Sequence, residues 1–431
     1  MNVFWFRRDL RLHDNAGLYQ ALKDAEPVLP VFIFDTNILD ELEDEDDARV
    51  HFIHDTLAEM NELLAKRGSS LHVYHGTPEK AFTDITERFT VNKVFTNSDA
   101  ELYALERDKA VMELLAKKGI AFQAWKDQVI FGKDEILKED GEPYVIYTPY
   151  SKKWKSKLTD FYTKAYPVEK YFANFFKSPS KPVPSLESIG FKKSSVQIPP
   201  KDIPDTVFRE YEQHRDFPGD DATSRLGIHL RFGTISIREL VARAKDLSQV
   251  YLNELIWREF YQMILAHFPH VGRGEAFKKE YDAIQWRYDE KEFKLWCEGR
   301  TGYPLVDAGM RQLNETGFMH NRVRMVTASF LAKHLLVDWR WGEAYFARKL
   351  LDFDFANNNG GWQWSVGCGC DAAPYFRIFN PSMQTEKFDA KLKYIRRWVP
   401  ELETFEYPSP VVDHTFARKR CLEVYGKALN K

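Results

Sequence analysis

The spacing of hydrophobic and polar positions changes near residue 130. Before it, the apolar runs Val3–Phe6, Val28–Phe34, Ser70–Tyr74, Lys93–Thr96 and Ala121–Trp125 alternate with amphipathic stretches such as Ala48–Arg67 and Glu101–Lys118. Those two stretches close at Gly68 and Gly119, and glycine readily ends a helix in left-handed backbone. Five strands separated by helices predict a doubly wound, parallel five-stranded α/β domain over residues 1–130. No GxGxxG follows the first strand, so a dinucleotide fingerprint is missing. Residues 131–204 lose the pattern in Pro, Ser and Lys clusters, as a long interdomain connector would. Helical spacing governs residues 205–431, which predicts an all-α second domain.

Composition narrows the class. The chain has 431 residues, enough for two or three domains. No apolar run approaches the roughly 18 residues of a membrane span. Charge appears six residues in, at Arg7 and Arg8, so no secretory signal is expected and a cytoplasmic location is. Cys297, Cys368, Cys370 and Cys421 have neither zinc nor iron–sulfur spacing, and no metal is expected. The net charge of −3 hides an asymmetry: residues 1–130 carry 15 basic and 24 acidic side chains, so the remainder is net positive. A nucleic-acid site, if present, belongs in that second part.

Four segments there carry candidate chemistry. In YLNELIWREFY, Glu254, Trp257 and Arg258 share a helix face at i, i+3 and i+4. That set suits a polar–aromatic pocket wall, and equally a structural ion pair beside a core Trp. In HNRVRM, Asn321, Arg324 and Met325 repeat the spacing, with Arg322 pointing elsewhere. Thr223, Ser224 and Arg225, read as opening a helix, suit a pyrophosphate or serve as a plain cap. The fourth segment, FDFANNNGGWQW, concentrates carboxamides, glycines and two indoles after Asp352 and Asp354. It suits a large flat cofactor beside a flat ligand. Arg324 is expected to pair with one of those aspartates.

These segments, with WFRRDLRLHDN, TSRLGIHLRFGTIS, TGYPLVDAGMRQL and DAAPYFRIFNP, resemble the photolyase/cryptochrome flavoproteins in order and over essentially the full length. The resemblance implies an N-terminal α/β domain, with a possible antenna site for a folate, a deazaflavin or a second flavin, and a helical domain holding FAD in a bent form. By resemblance, Tyr211, Thr223, Ser224, Arg225 and Leu226 meet its pyrophosphate end, and Glu254 and Arg258 line the cavity. Asn321, Arg324, Asp352, Asp354 and Asn358 meet the flavin, with Asn358 opposite N5. Trp362, Trp339 and Trp286 match the family's electron-transfer chain. Glu254, Trp257, Asn321, Met325 and Trp364 match the set that cradles a cyclobutane pyrimidine dimer. The His residues of six-four photolyases are absent at 321 and 325.

The activity implied, closest to the class I dimer photolyases, is light-driven repair by electron transfer from excited reduced FAD to a flipped-out dimer. UV-damaged DNA is the implied partner, with the protein a monomer. Arg215, Arg322 and Arg377, with Lys152 or Lys153, are the expected backbone contacts. Gly227, Ile228, Cys368 and Cys370 depart from the residues common in the family. Alternatives are a cryptochrome-type photoreceptor and a DASH-type single-strand photolyase. The absence of a disordered C-terminal tail and the intact lesion set weigh against the first, and Trp257 against the second.

Overall fold

The structure, a computed structural model, describes residues 1–430. The strands are β1 (Asn2–Phe6), β2 (Val28–Asp35), β3 (His72–Gly76), β4 (Lys93–Asn97) and β5 (Ala121–Trp125). The helices used below are α1 (Ala16–Lys23), α2 (Ala48–Ala65), α3 (Pro78–Arg88), α4 (Leu102–Ala116), α5 (Tyr147–Lys157), α6 (Ile237–Leu247) and α7 (Gln249–His267). They continue with α8 (Pro304–Thr316), α9 (Asn321–Ser329), α10 (Trp339–Lys349), α11 (Phe355–Val366) and α12 (His414–Ala428).

The chain divides into two compact units. One holds Met1–Gly132, Lys157–Asp202 and Leu226–Asp246; the other holds Lys133–Ser156, Ile203–Arg225 and Leu247–Lys431. The stretch expected as a connector is therefore shared between the units, and α5 belongs with the helical one.

In the first unit all five strands pair in parallel, in the order β3-β2-β1-β4-β5. This is the doubly wound sheet expected. Strands β1 and β2 are buried throughout, as a sheet covered on both faces requires. Strand β3 starts two residues later than its apolar run. Asn61 Oδ1 accepts from Leu71 N (2.8 Å) and from Ser70 Oγ (3.2 Å), so a side chain satisfies the amide that a ladder would need. Residues 226–246 are tied to this unit through Arg238. Its Nε donates to Asp14 Oδ1 (2.8 Å) and its Nη2 to Asp127 Oδ1 (2.8 Å). Arg11 Nη2 donates to Asp127 Oδ2 (2.6 Å), and all four side chains are buried.

The second unit is helical. Its core is rich in aromatics, including Trp296, Trp339, Trp362, Tyr394 and Tyr425. Between α9 and α10 the chain forms a π-helical turn, Phe330–Leu335. Helix α5 is held on α7 by Trp154, whose Nε1 donates to buried Glu259; Lys152 and Lys153 are exposed.

Three buried imidazoles are held neutral. Burial pushes His334 down to about 3, and His72 and His320 to about 4. Unfolded His titrates near about 6.5. Below that pH the unfolded chain takes up protons that the fold refuses, so stability present above it is lost as pH falls toward the folded values. Each group contributes up to about 1.4 kcal/mol per pH unit in that window. The urea midpoint should therefore drop between about pH 7 and about pH 5. A flat midpoint there would show that these rings do not govern acid stability.

Candidate functional site

The Asn/Gly/Trp run folds as α11, and each residue type has a different task. Asp354 caps the helix, accepting from Asn357 N (3.2 Å) and Asn357 Nδ2 (2.7 Å). Ala356, Asn359, Trp362, Gln363 and Val366 are buried. Asn357, Asn358, Gly361 and Trp364 are half-buried and form one stripe along the helix. A Cβ on Gly360 would lie 2.2 Å from the Tyr261 ring, so this glycine lets α11 approach α7. A Cβ on Gly361 would meet nothing within 4 Å. At Gly361, therefore, the stripe is open.

Helix α7 packs on α11 and presents Glu254, Trp257, Arg258 and Tyr261, all half-buried. Ser248 caps it through Tyr251 N (3.2 Å). Glu254 pairs with Arg215. Burial raises the Glu254 carboxyl above its usual range, and the Arg215 charge pulls it back. The Arg215 guanidinium lies 5.4 Å over the Tyr211 ring, which meets Tyr251 edge-on at 5.0 Å. Ser224 Oγ shares a 2.9 Å hydrogen bond with the Tyr251 hydroxyl. Tyr211, Ser224 and Arg215 thus gather around the first half of α7.

The predicted helix start at Thr223 is not formed. The helix there is Gly227–Arg231, only five residues long. Arg225 precedes it with φ of 51°, paired with Asp221 and 4.6 Å over the Phe318 ring. Any anion at Thr223–Arg225 would meet side chains and turn amides there. Leu226 is buried and opens the segment grouped with the sheet unit.

Helix α9 also packs on α11. His320 caps it through Arg322 N (3.2 Å). Asn321 is exposed and Met325 half-buried. Arg324 pairs with Asp352 through both carboxylate oxygens (3.1 and 2.9 Å), and its Nε donates to Met319 O (2.8 Å). Asp352 is thus the predicted aspartate partner. Asn358 Nδ2 donates to Glu343 Oε1 (2.8 Å), and burial pushes that carboxyl up to about 7.

Two of the three relay candidates are buried and one is half-buried. Trp362 and Trp339 are buried, the latter under Arg340 at 4.8 Å. Trp286 is half-buried, edge-on to Tyr425 at 6.0 Å.

Two arginines expected on DNA are engaged inside the helical unit. Arg215 holds Glu254, whereas Arg322 pairs with Asp216 (2.6 Å) and lies over Phe388. Arg377 is exposed. The residues that sequence reasoning missed are Glu343, behind Asn358, and Tyr147, stacked on Trp257 at 3.7 Å and 4°. Each is far in sequence from its partner, and no local spacing signals either.

All four cysteines are free, and burial pushes Cys297, Cys368, Cys370 and Cys421 up to about 12. They are protonated thiols at neutral pH, with no activated nucleophile among them. Among the described residues no group of three or more metal-ligating side chains assembles. No described helix is long and apolar enough to cross a membrane.

The donor set suits a flavin dinucleotide. It offers a carboxamide at the open stripe, an Arg–Asp pair beside it, and hydroxyls with guanidinium groups for a pyrophosphate. Residues 251–406 match the family of the FAD binding domain of DNA photolyase, and residues 2–170 match DNA photolyase. The chain belongs to the DNA photolyase family and carries its FAD-binding domain. It is 36% identical to the deoxyribodipyrimidine photo-lyase of Vibrio cholerae, over 99% of this chain and 100% of that protein. Its fold is similar to a bacterial class III photolyase from Agrobacterium tumefaciens, with a TM-score of 0.87, 33% identity and coverage of 100% and 98%. It is also similar to an archaeal photolyase from Sulfolobus tokodaii that holds two FAD molecules, with a TM-score of 0.84, 34% identity and coverage of 99% and 100%.

Proposed function

We propose that this chain repairs cyclobutane pyrimidine dimers in UV-damaged DNA, using light and bound FAD. The observation that carries the reading is the open stripe of α11, flanked by the half-buried faces of α7 and α9. A flavin at Asn358 and Arg324 would leave Trp257, Trp364, Glu254, Asn321 and Met325 for a second flat ligand. Bound FAD supplies the light-driven electron. The protein's residues hold the dimer: two indoles offer apolar faces, and Glu254 offers a carboxyl to the pyrimidine edge. Burial raises the Glu254 carboxyl against the pull of Arg215, which favours the form that can donate to a carbonyl oxygen. Extruding an already distorted lesion costs less than extruding intact bases, which supports selectivity. Trp362, Trp339 and Trp286 serve light-driven reduction of the flavin.

The test is repair of a defined thymine-dimer oligonucleotide, double- and single-stranded, by reduced FAD-loaded protein under blue light. Repair of the duplex supports the reading, repair of the single strand alone favours a DASH-type activity, and repair of neither sinks it. Arg377, Lys152 and Lys153 are the proposed phosphate contacts. Arg377→Ala should weaken damaged and undamaged DNA alike and move the log–log salt slope by about 0.9 toward zero. An unchanged slope removes Arg377 from the interface.

A further inference from the structure

Trp257 is part-exposed although three rings touch it. Tyr147 lies parallel on it at 3.7 Å and 4°, Phe260 meets it edge-on at 5.6 Å, and Tyr261 is tilted at 5.5 Å. Parallel contact at that distance covers one indole face. Tyr147 is itself fixed at both ends. Its hydroxyl donates to Asn253 O (2.9 Å), and its backbone N–H donates to Asp371 Oδ2 (3.1 Å). Asp371 sits in left-handed backbone with φ of 49°. Behind Tyr147, the rest of α5 is bolted to α7 by Trp154 on Glu259 and by Tyr150 against Phe260 at 5.1 Å.

We propose that Tyr147 is a positioning residue for substrate recognition: it backs the Trp257 indole so that a flat ligand can stack only on the opposite face. This rests on the dimer-repair reading. An unbacked indole can rotate about χ1 and χ2, and a ligand that stacks on it must first immobilise it. The backing ring removes that cost and leaves a single rigid platform. The hydroxyl fixes the height of Tyr147 along α7, while the ring supplies the backing, so the two parts separate by substitution.

The experiment compares FAD-loaded wild type, Tyr147→Phe and Tyr147→Leu. Affinity is measured for a dimer-containing duplex and for the undamaged duplex of the same sequence, alongside repair at saturating substrate. Tyr147→Leu should weaken the dimer duplex roughly three- to tenfold, the worth of one aromatic stack. Undamaged DNA, FAD content and repair at saturation should stay at wild-type values. Tyr147→Phe, which keeps the ring, should restore dimer affinity to within about twofold of wild type. Equal weakening of both duplexes by Tyr147→Leu would assign Tyr147 a merely structural role, and unchanged dimer preference would overturn the backing. If Tyr147→Leu fails to fold, Tyr147→Phe still decides: loss of dimer preference there would overturn the ring as the active part. Wild-type protein without dimer preference would instead defeat the underlying reading, a result distinct from every variant outcome.

Discussion

Gly342→Ala should destabilise the helical unit by about 2 kcal/mol and slow light-driven flavin reduction. The added Cβ would lie 2.1 Å from Trp362 Cη2 and 2.5 Å from Leu331 Cδ2. Real carbons do not approach so closely, so something must move. The indole has little room to do so. Trp296 meets it at 6.1 Å and Phe346 at 5.0 Å, both edge-on. Trp296 is itself fixed by its Nε1 donating to Thr327 O (3.1 Å). The strain therefore falls on the spacing of α10 and α11, the helices that carry Trp339 and Trp362. Urea unfolding of the FAD-loaded protein measures the first effect. Flavin bleaching under light, with an external reductant as control, measures the second. Wild-type values for both would show that Trp362 is not clamped as the packing implies.

Glu254→Ala should lower repair roughly ten- to a hundredfold, the worth of one hydrogen bond to a charged group, with FAD still bound. The carboxyl lies on the half-buried face of α7, paired with Arg215. Its removal would delete the proposed contact to the pyrimidine edge and release Arg215 over Tyr211. Glu254→Gln separates the two roles, because it keeps hydrogen-bonding groups without the charge that Arg215 pairs with. Repair yield per absorbed photon, measured with FAD stoichiometry, is the check. A variant that purifies without flavin would make Glu254 a cofactor ligand first and refute this placement.

The strand order was not legible in the sequence, but the strands were, because a doubly covered parallel sheet leaves uninterrupted apolar runs. The largest shifted start, at β3, goes with Asn61 capturing the Leu71 amide across ten residues, a side-chain act that hydrophobicity does not report. Within the helical unit, pairs on one face at i, i+3 and i+4 were readable, and Glu254, Trp257 and Arg258 do share a half-buried helix face. What spacing could not supply were partners from distant elements: Arg215 for Glu254, Glu343 for Asn358, Tyr147 for Trp257. Spacing also misplaced Thr223–Arg225 on a helix start. The left-handed residue at Arg225 is an arginine, and sequence patterns flag that geometry only when the residue is glycine or asparagine.

The division of the chain bears on how it is made. The backbone passes between the two units at 132, 156, 202, 225 and 246. The sheet-bearing unit lacks Arg238, the partner of Asp14 and Asp127, until residue 238 has left the ribosome. Its two buried carboxylates must wait, hydrated or, for Asp127, held by Arg11, until more than half of the chain has been made. Domains generally fold as units during synthesis, the N-terminal one first. Here completion of the first unit is deferred until two segments of the second, Lys133–Ser156 and Ile203–Arg225, have been made. A single protease cut at any one crossing would therefore not release two self-sufficient pieces.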